Sequence, residues 1–169
     1  MIQIVTGLAL ATIGYLATGP APALLPVVYL AAVTPPLVLI DQRDHRLPNV
    51  LVVPAIAAGL VAGVGEWFAA ATPPLTPLIA GVVYTTFLLI LNLVGGMGMG
   101  DVKLGAALGL AAWTPAVAVL GPVAAFLAGG LVATALLLRG QRGRQIAFGP
   151  YLLGGFWLAV SLVASSRLG

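Results

Sequence analysis

The first forty residues of the chain contain no charged side chain, which severely restricts the environments in which it can fold. Over all 169 residues, 61% are hydrophobic and only 7% are charged, whereas roughly a quarter of the residues in a soluble domain are charged. The mean hydropathy is +1.15. Polar side chains are too few to cover a water-facing surface, so lipid must replace water over most of the exterior. The composition therefore predicts an integral membrane protein.

Long apolar stretches, separated by Gly-Pro, Pro-Pro or charged positions, predict about seven helices. They cover approximately residues 2–18, 23–40, 50–65, 75–94, 104–113, a stretch that ends near 138, and 148–164. The fifth stretch is too short to span a membrane alone unless residues 101–103 also enter it. The predicted fold class is all-α: a polytopic transmembrane helix bundle that forms a single domain over residues 1–169. Because no basic residue precedes the first apolar stretch, no cleavable signal peptide is predicted.

The basic residues predict the orientation of this bundle. If the N-terminus shares a side with the loops after even-numbered segments, that side holds six of the seven cations, which are Arg43, Arg46, Lys103, Arg139, Arg142 and Arg144. The opposite side holds only Arg167, together with Glu66. This asymmetry agrees with the positive-inside rule and predicts that the six-cation side faces the cytoplasm. A chance distribution is the alternative.

Several classes of function conflict with the residue counts. The chain has no cysteine, which excludes disulfides, thiolate catalysis and cysteine-ligated zinc, and one histidine cannot form a histidine metal cluster. The net charge of +3 is small and lies in loops, so we interpret it as a determinant of topology rather than of nucleic-acid binding. We therefore expect no metal, no other cofactor and no nucleic-acid partner.

The four acidic residues, Asp41, Asp44, Glu66 and Asp101, are the candidates for chemistry. Carboxylates near hydrocarbon depth are costly and usually functional. Asp41 directly follows an apolar run, Asp101 precedes one, and both are predicted on the same membrane face. Two carboxylates within hydrogen-bond reach share a proton, so that one can activate water while the other polarises a carbonyl. This predicts an aspartic peptidase, with Asp44 interpreted as a solvated loop charge in preference to a catalytic one.

The glycine-rich run at residues 95–100 has two interpretations. Small residues next to Asp101 would let an extended substrate backbone approach and form main-chain hydrogen bonds, or the run is simply a flexible loop. A phosphate-binding loop is not predicted, because no Gly-Lys-Ser/Thr follows. Lys103 is equally compatible with a topology marker and with attraction of an acidic substrate residue. His45 is interpreted as an interfacial polar residue rather than a catalytic base.

Three stretches resemble motifs of the type IV prepilin peptidases and preflagellin peptidases. In residues 40–49, Asp41 is followed seven positions later by Pro-Asn, as in the first catalytic motif of that family. Residues 98–103, Gly-Met-Gly-Asp-Val-Lys, are similar to its Gly-x-Gly-Asp signature, which places the second catalytic aspartate on Asp101. Residues 148–152, Phe-Gly-Pro-Tyr-Leu, resemble the element that begins its last helix. The three motifs occur in the family's order in an apolar chain, which makes the resemblance specific.

The resemblance covers about residues 23–165 and implies a six-helix peptidase core plus one N-terminal helix. It implies a membrane-embedded aspartic endopeptidase in the cell membrane that removes the leader of type IV pilin-like precursors at the cytoplasmic face, with the precursor and membrane lipid as partners. It also implies the short, peptidase-only form, without the cysteine-containing region and N-methyltransferase activity of larger bacterial members. Catalytic roles fall on Asp41 and Asp101. Substrate-binding or supporting roles fall on Gly98, Gly100, Lys103, Pro48, Asn49, Phe148, Gly149 and Pro150.

Two other interpretations compete with this one. Presenilin-like and signal-peptide-peptidase enzymes share Gly-x-Gly-Asp, but they pair it with Tyr-Asp and with a later Pro-Ala-Leu. Here Ile40 precedes Asp41, and the Pro-Ala-Leu at residues 22–24 precedes both acids. A small transporter or structural membrane protein with two functional carboxylates is the non-enzymatic alternative, although no inverted repeat is evident. The sequence does not predict the oligomeric state.

Overall fold

A computed structural model describes residues 2–19, 21–95, 97–140 and 146–169, and its regular structure over these ranges is entirely helical. Five of the described helices are long and apolar enough to cross a membrane, while the first and the fifth in chain order are shorter, with 17 and 12 residues. The prediction of an all-α, multi-pass helix bundle is confirmed. The helices are α1 (Ile2–Thr18), α2 (Leu24–Asp44), α3 (Asn49–Ala70), α4 (Leu75–Leu93), α5 (Met99–Leu110), α6 (Pro115–Leu138) and α7 (Gly149–Leu168).

Several helix boundaries differ from the sequence-based prediction: α3 continues past residue 65 to Ala70, α7 continues past residue 164 to Leu168, and two further differences lie beside a candidate acid. Helix α2 continues past Asp41 and ends where His45 adopts a left-handed conformation (φ 50°) and its N–H donates to the carbonyl of Asp41 at 3.0 Å. Helix α5 begins at Met99, so Asp101 lies in its first turn. A prediction from hydropathy ends a helix at the first charged residue. Polar residues are nevertheless compatible with the terminal turns of a helix, and an acid in the first turn interacts favourably with the helix dipole.

The short helix α5 lies inside the bundle, in contact with α3, α4 and α7. Two glycines permit its close contacts with α3 and α4. A Cβ atom on Gly109 would lie 2.6 Å from the carbonyl oxygen of Ala80 in α4, and one on Gly59 in α3 would lie 2.6 Å from Cβ of Leu110. Both glycines belong to small-xxx-small pairs, which let helix backbones approach closely. This packing places the N-terminal turn of α5, with Asp101, among the surrounding helices.

Helices α2 and α7 run antiparallel and are joined at two points. The indole Nε1–H of Trp157 donates to Oγ1 of Thr34 at 2.9 Å, and the N–H of Gly149 donates to Oδ2 of Asp41 at 3.0 Å. At 1.5 Å per residue, the two points are about 12 Å apart along α7 and about 10 Å apart along α2. Because these spacings match, packing in the interior places the start of α7 beside the end of α2.

The outer surface of the bundle is strongly apolar. Leu131, Val82 and Val61, from three different helices, are 72%, 66% and 61% exposed. Contiguous apolar surface of this kind belongs in lipid. The end of the bundle that holds both candidate acids also carries four basic residues, in or next to the ends of α2 and α6 and near the start of α5: Arg43, Arg46, Lys103 and Arg139. Arg142 and Arg144 lie outside the described residues. That this end faces the cytoplasm stays a prediction.

Candidate active site

Asp41 lies in the last turn of α2 and is only 4% exposed. Its Oδ2 accepts the hydrogen bond from the N–H of Gly149, the first residue of α7, at 3.0 Å. A Cβ atom at position 149 would lie 2.7 Å from the same oxygen, which is closer than real Cβ contacts. Glycine is therefore required for the backbone to come this near. Burial disfavours the ionised form of a carboxyl group, and a hydrogen bond from a backbone N–H counteracts this by favouring it.

Asp101 lies in the first turn of α5, outside the five helices that are long enough to cross the membrane. Its Oδ2 accepts a longer hydrogen bond, 3.3 Å, from the N–H of Gly98. Its Oδ1 is buried and has no hydrogen-bond partner within the described ranges. Burial, and secondarily the nearby carboxylate of Asp41, raises the pKa of Asp101 to about 6. The two acids are therefore close enough to influence each other's ionisation.

Both carboxyl groups line one cavity of about 620 Å³, within the range of small-molecule and peptide-side-chain pockets. Four structural segments form its walls: the end of α2, the loop between α4 and α5 with the start of α5, the middle of α6, and the residues before α7. The lining residues are Asp41, His45, Gly95, Met97, Gly98, Asp101, Phe126, Gly129, Gly130, Ala133, Ile146, Ala147 and Phe148. Two acids from different motifs thus share a partly apolar recess.

Lys103 and Asn49 do not line this cavity. Instead, Nζ of Lys103 donates to Oδ1 of Asn49 at 2.9 Å, which joins the first turn of α5 to the first residue of α3. Pro48 occupies the preceding N-cap position of α3 in an extended conformation (φ −69°, ψ 128°). This contact between the first two motifs was part of neither interpretation of Lys103, as a topology marker or as an attractor of an acidic substrate residue, and both stay predictions.

Leu47, a residue of the first motif, packs against the other two motifs. A Cβ atom on Gly100 would lie 3.0 Å from Cβ of Leu47, and one on Gly149 would lie 3.3 Å from its Cδ2. The leucine side chain therefore separates the start of α5 from the start of α7. A larger residue at either motif glycine would require the leucine to shift by a few tenths of an ångström. Sequence reasoning included Leu47 in the first motif but assigned it no role.

The loop that carries Gly98 is held by a side chain inside α4. Nδ2 of Asn92 donates to the carbonyl oxygen of Met97 at 2.7 Å, and Gly95 has a left-handed backbone (φ 88°). Gly96 lies outside the described residues. An amide side chain within an apolar segment was the available signal for this contact. Part of the glycine run is thus anchored at one end of the cavity.

The third motif contributes both a wall and a hydrogen bond. The ring of Phe148 lines the cavity and lies 5.0 Å from the ring of Phe126 in α6. Pro150 lines a second cavity of about 680 Å³, which shares His45 with the first. The α6 wall of the cavity consists of Phe126, Gly129, Gly130 and Ala133. Sequence reasoning missed it, because apolar or small residues of this kind are ordinary in a membrane helix.

The remaining acids lie away from the pair. Asp44, the last residue of α2, is exposed and lines neither of the two cavities described. Glu66 lies near the far end of α3, remote from the helix ends that carry Asp41 and Asp101. The geometry therefore separates the four acids into one converging pair and two outlying residues.

Comparison with known proteins shows that the chain is similar to leader peptidases. Residues 27–138 match the type IV leader peptidase family. A curated relative from Burkholderia pseudomallei strain 1026b, named prepilin leader peptidase/N-methyltransferase, is 34% identical over 92% of this chain. Relatives of the same name from Neisseria gonorrhoeae and Pseudomonas aeruginosa are 37% and 34% identical, each over 72% of this chain.

The matched region is only part of each relative. It makes up 52% of the Burkholderia protein, 43% of the Neisseria protein and 44% of the Pseudomonas protein. The chain thus spans about half the length of these curated relatives. No solved structure matches the chain significantly.

Proposed function

We propose, because the chain belongs to the type IV leader peptidase family, that it is a membrane-embedded aspartic endopeptidase. Its substrates would be type IV pilin-like precursors, from which it removes the leader peptide. The observation that carries this proposal is the convergence of Asp41 and Asp101, sixty positions apart in the chain, on one cavity. Curated relatives named prepilin leader peptidase support the substrate class.

The hydrogen bonds around the two acids support a division of roles. Asp41, which accepts the N–H of Gly149, is the ionised partner and acts as general base. Asp101, whose Oδ1 is buried without a partner in the described part of the chain, holds the shared proton. Two carboxyl groups in one recess do not easily both ionise, so this single-proton state is the stable one.

Peptide hydrolysis then follows without a cofactor. Asp41 takes a proton from water while the water oxygen bonds to the scissile carbonyl carbon, and Asp101 gives its proton to the carbonyl oxygen. The resulting diol collapses as the C–N bond breaks. The amide nitrogen receives the proton held by Asp41, and a diol hydroxyl returns a proton to Asp101. The pair ends with one proton, as it began.

The location of the pair suits a substrate that is itself embedded in lipid. Both acids lie at helix ends, in the last turn of α2 and the first turn of α5. A precursor's apolar helix could stay in the bilayer while its leader reaches the cavity from the aqueous side. The basic residues at this end support an inner-membrane protein whose active site faces the cytoplasm.

The test is co-expression of the chain with a pilin-like precursor, scored by the gel shift that accompanies loss of the leader. We expect Asp41→Ala and Asp101→Ala each to abolish cleavage, since neither base nor acid can then act. Asp44→Ala is the matched control, because it removes an acid from the same helix that does not line the cavity. It should retain most of the activity.

Membrane levels of each variant, measured by immunoblot, separate loss of chemistry from loss of protein. Full activity of Asp101→Ala at normal abundance would remove the catalytic assignment. Mass spectrometry of the mature product tests the peptidase-only interpretation separately, because a methylated new N-terminus would contradict that interpretation while leaving cleavage intact.

A further inference from the structure

Helices α4 and α6 touch in their N-terminal and middle portions. Oη of Tyr84 donates to the carbonyl oxygen of Ala118 at 2.6 Å, and the rings of Phe87 and Phe126 meet edge to face at 5.2 Å. Both helices run toward the end of the bundle that holds the acids. Beyond the Phe87–Phe126 contact, the cavity is bordered by α6 on one side and by Gly95 and Met97, in the loop that follows α4, on another.

Two adjacent glycines in α6 border this space for different reasons. A Cβ atom on Gly129 would lie 2.5 Å from the ring of Phe148, so glycine is needed there for packing. A Cβ atom on Gly130 would meet no described residue within 4 Å, and the residue lines the cavity. Gly154 in α7 is equally open but lies outside the cavity, so what distinguishes Gly130 is its position in the cavity wall.

The surroundings of Gly130 show that this side of the cavity opens onto the lipid-facing surface. Gly130 is itself exposed, and the adjacent Leu131 is 72% exposed. Leu93, at the end of α4 and two residues before the cavity-lining Gly95, is 78% exposed. An exposed apolar surface that continues into a recess with two carboxyl groups can admit an apolar segment from the bilayer.

We propose that the substrate's transmembrane helix enters sideways between α6 and the loop that follows α4, with its first turn after the scissile bond packed against Gly130. This inference rests on the proposed peptidase function and adds the path of the substrate. Gly130 acts as a specificity-determining residue, because the absent side chain lets the two helix backbones approach as small residues do in membrane helix pairs. The wall favours an apolar helix, since Phe126 and Ala133 flank the glycine in the lining.

The absence of native cysteine allows a direct test. Gly130→Cys in an inactive Asp101→Asn background would carry the only thiol of the enzyme. It is co-expressed with pilin-like precursors that carry a single cysteine at successive positions of the helix, and disulfide cross-linking is induced in membranes. Gly154→Cys is the matched control, because a Cβ atom at position 154 in α7 also meets nothing within 4 Å, and the residue lines neither cavity.

We expect Gly130→Cys to cross-link to cysteines in the first turn after the scissile bond about tenfold more than Gly154→Cys does, with a drop at deeper positions. Kinetics on the active enzyme provide a second measurement. Gly130→Leu should lower kcat/KM for the whole precursor about tenfold or more, mainly through KM, while Gly154→Leu leaves it unchanged.

Equal cross-linking at both positions, or unchanged kinetics in Gly130→Leu, would overturn the proposed entry path while the peptidase function stands. Failure of the unsubstituted chain to cleave the precursor would instead remove the proposed function, and the entry path with it. The two failures are therefore distinguishable in one set of strains.

Discussion

Substitution of Gly149 by alanine tests the most specific contact of the candidate site. The added Cβ atom would lie 2.7 Å from Oδ2 and 3.2 Å from Cγ of Asp41, and 3.3 Å from Cδ2 of Leu47. Ordinary Cβ contacts begin at about 3.4 Å. Either the start of α7 or the aspartate must therefore move by several tenths of an ångström, away from a hydrogen bond that is now 3.0 Å long.

The expected magnitude follows from that hydrogen bond. A hydrogen bond to a charged group contributes about 1.5–3 kcal/mol. If Gly149→Ala removes this stabilisation from the carboxylate form of Asp41, the proton shifts toward Asp41, the fraction of enzyme with an ionised general base decreases, and kcat/KM falls about 10- to 150-fold. The effect appears mainly in kcat, because the contact acts on the reacting group rather than on the substrate.

The assay is steady-state cleavage of a purified pilin-like precursor by the enzyme in detergent or liposomes. Gly154→Ala, in the same helix, is the matched control, because a Cβ atom at that position contacts nothing within 4 Å. It should be fully active and no less stable. Thermal unfolding of both variants shows whether the Gly149→Ala protein remains folded at the assay temperature.

A folded Gly149→Ala enzyme with kcat within a factor of about two of the unsubstituted enzyme would refute this reasoning, since the loss expected from the hydrogen bond is at least about tenfold. Equal losses in Gly149→Ala and Gly154→Ala would refute it as well. That result would attribute the effect to the helix rather than to the contact with Asp41.

Two further predictions concern the coupling of the motifs and the shared proton. Lys103→Met and Asn49→Ala should each lower kcat/KM about three- to tenfold, because both break one exposed hydrogen bond that joins α3 to α5. The double variant should be no worse than the worse single, so additive losses in a double-mutant cycle would contradict a shared contact. Because the pKa of Asp101 is raised to about 6 and the proposed mechanism needs its protonated form, kcat/KM should fall as the pH rises through about 6. The apparent pKa belongs to the pair, and a pH–rate profile that stays flat on both sides of that value would contradict the assignment.

Much of the fold was predictable from local properties of the chain. Apolar stretches long enough to span lipid specify the helices, because backbone groups in a bilayer must be satisfied within each segment. Charges at the segment ends also predicted that Asp41 and Asp101 lie at one end of the bundle. The boundaries at Asp44 and Met99 were not predictable, since they depend on the conformation of His45 and on the capping of α5 at Gly98.

The candidate site was only partly predictable, for a physical reason. Sequence motifs indicated which acids and glycines matter, but a residue's pattern does not specify which distant backbone it touches. The contact of Gly149 with Asp41 depends on the packing of α7 against α2. The α6 residues that line the cavity around Gly130 have no polar side chain that a motif search could detect, and their proposed role is to leave space for a substrate helix. Composition and spacing by themselves therefore determined a membrane helix bundle with two candidate acids, whereas only the tertiary structure decided what surrounds those acids, since space between helices is a property of their packing.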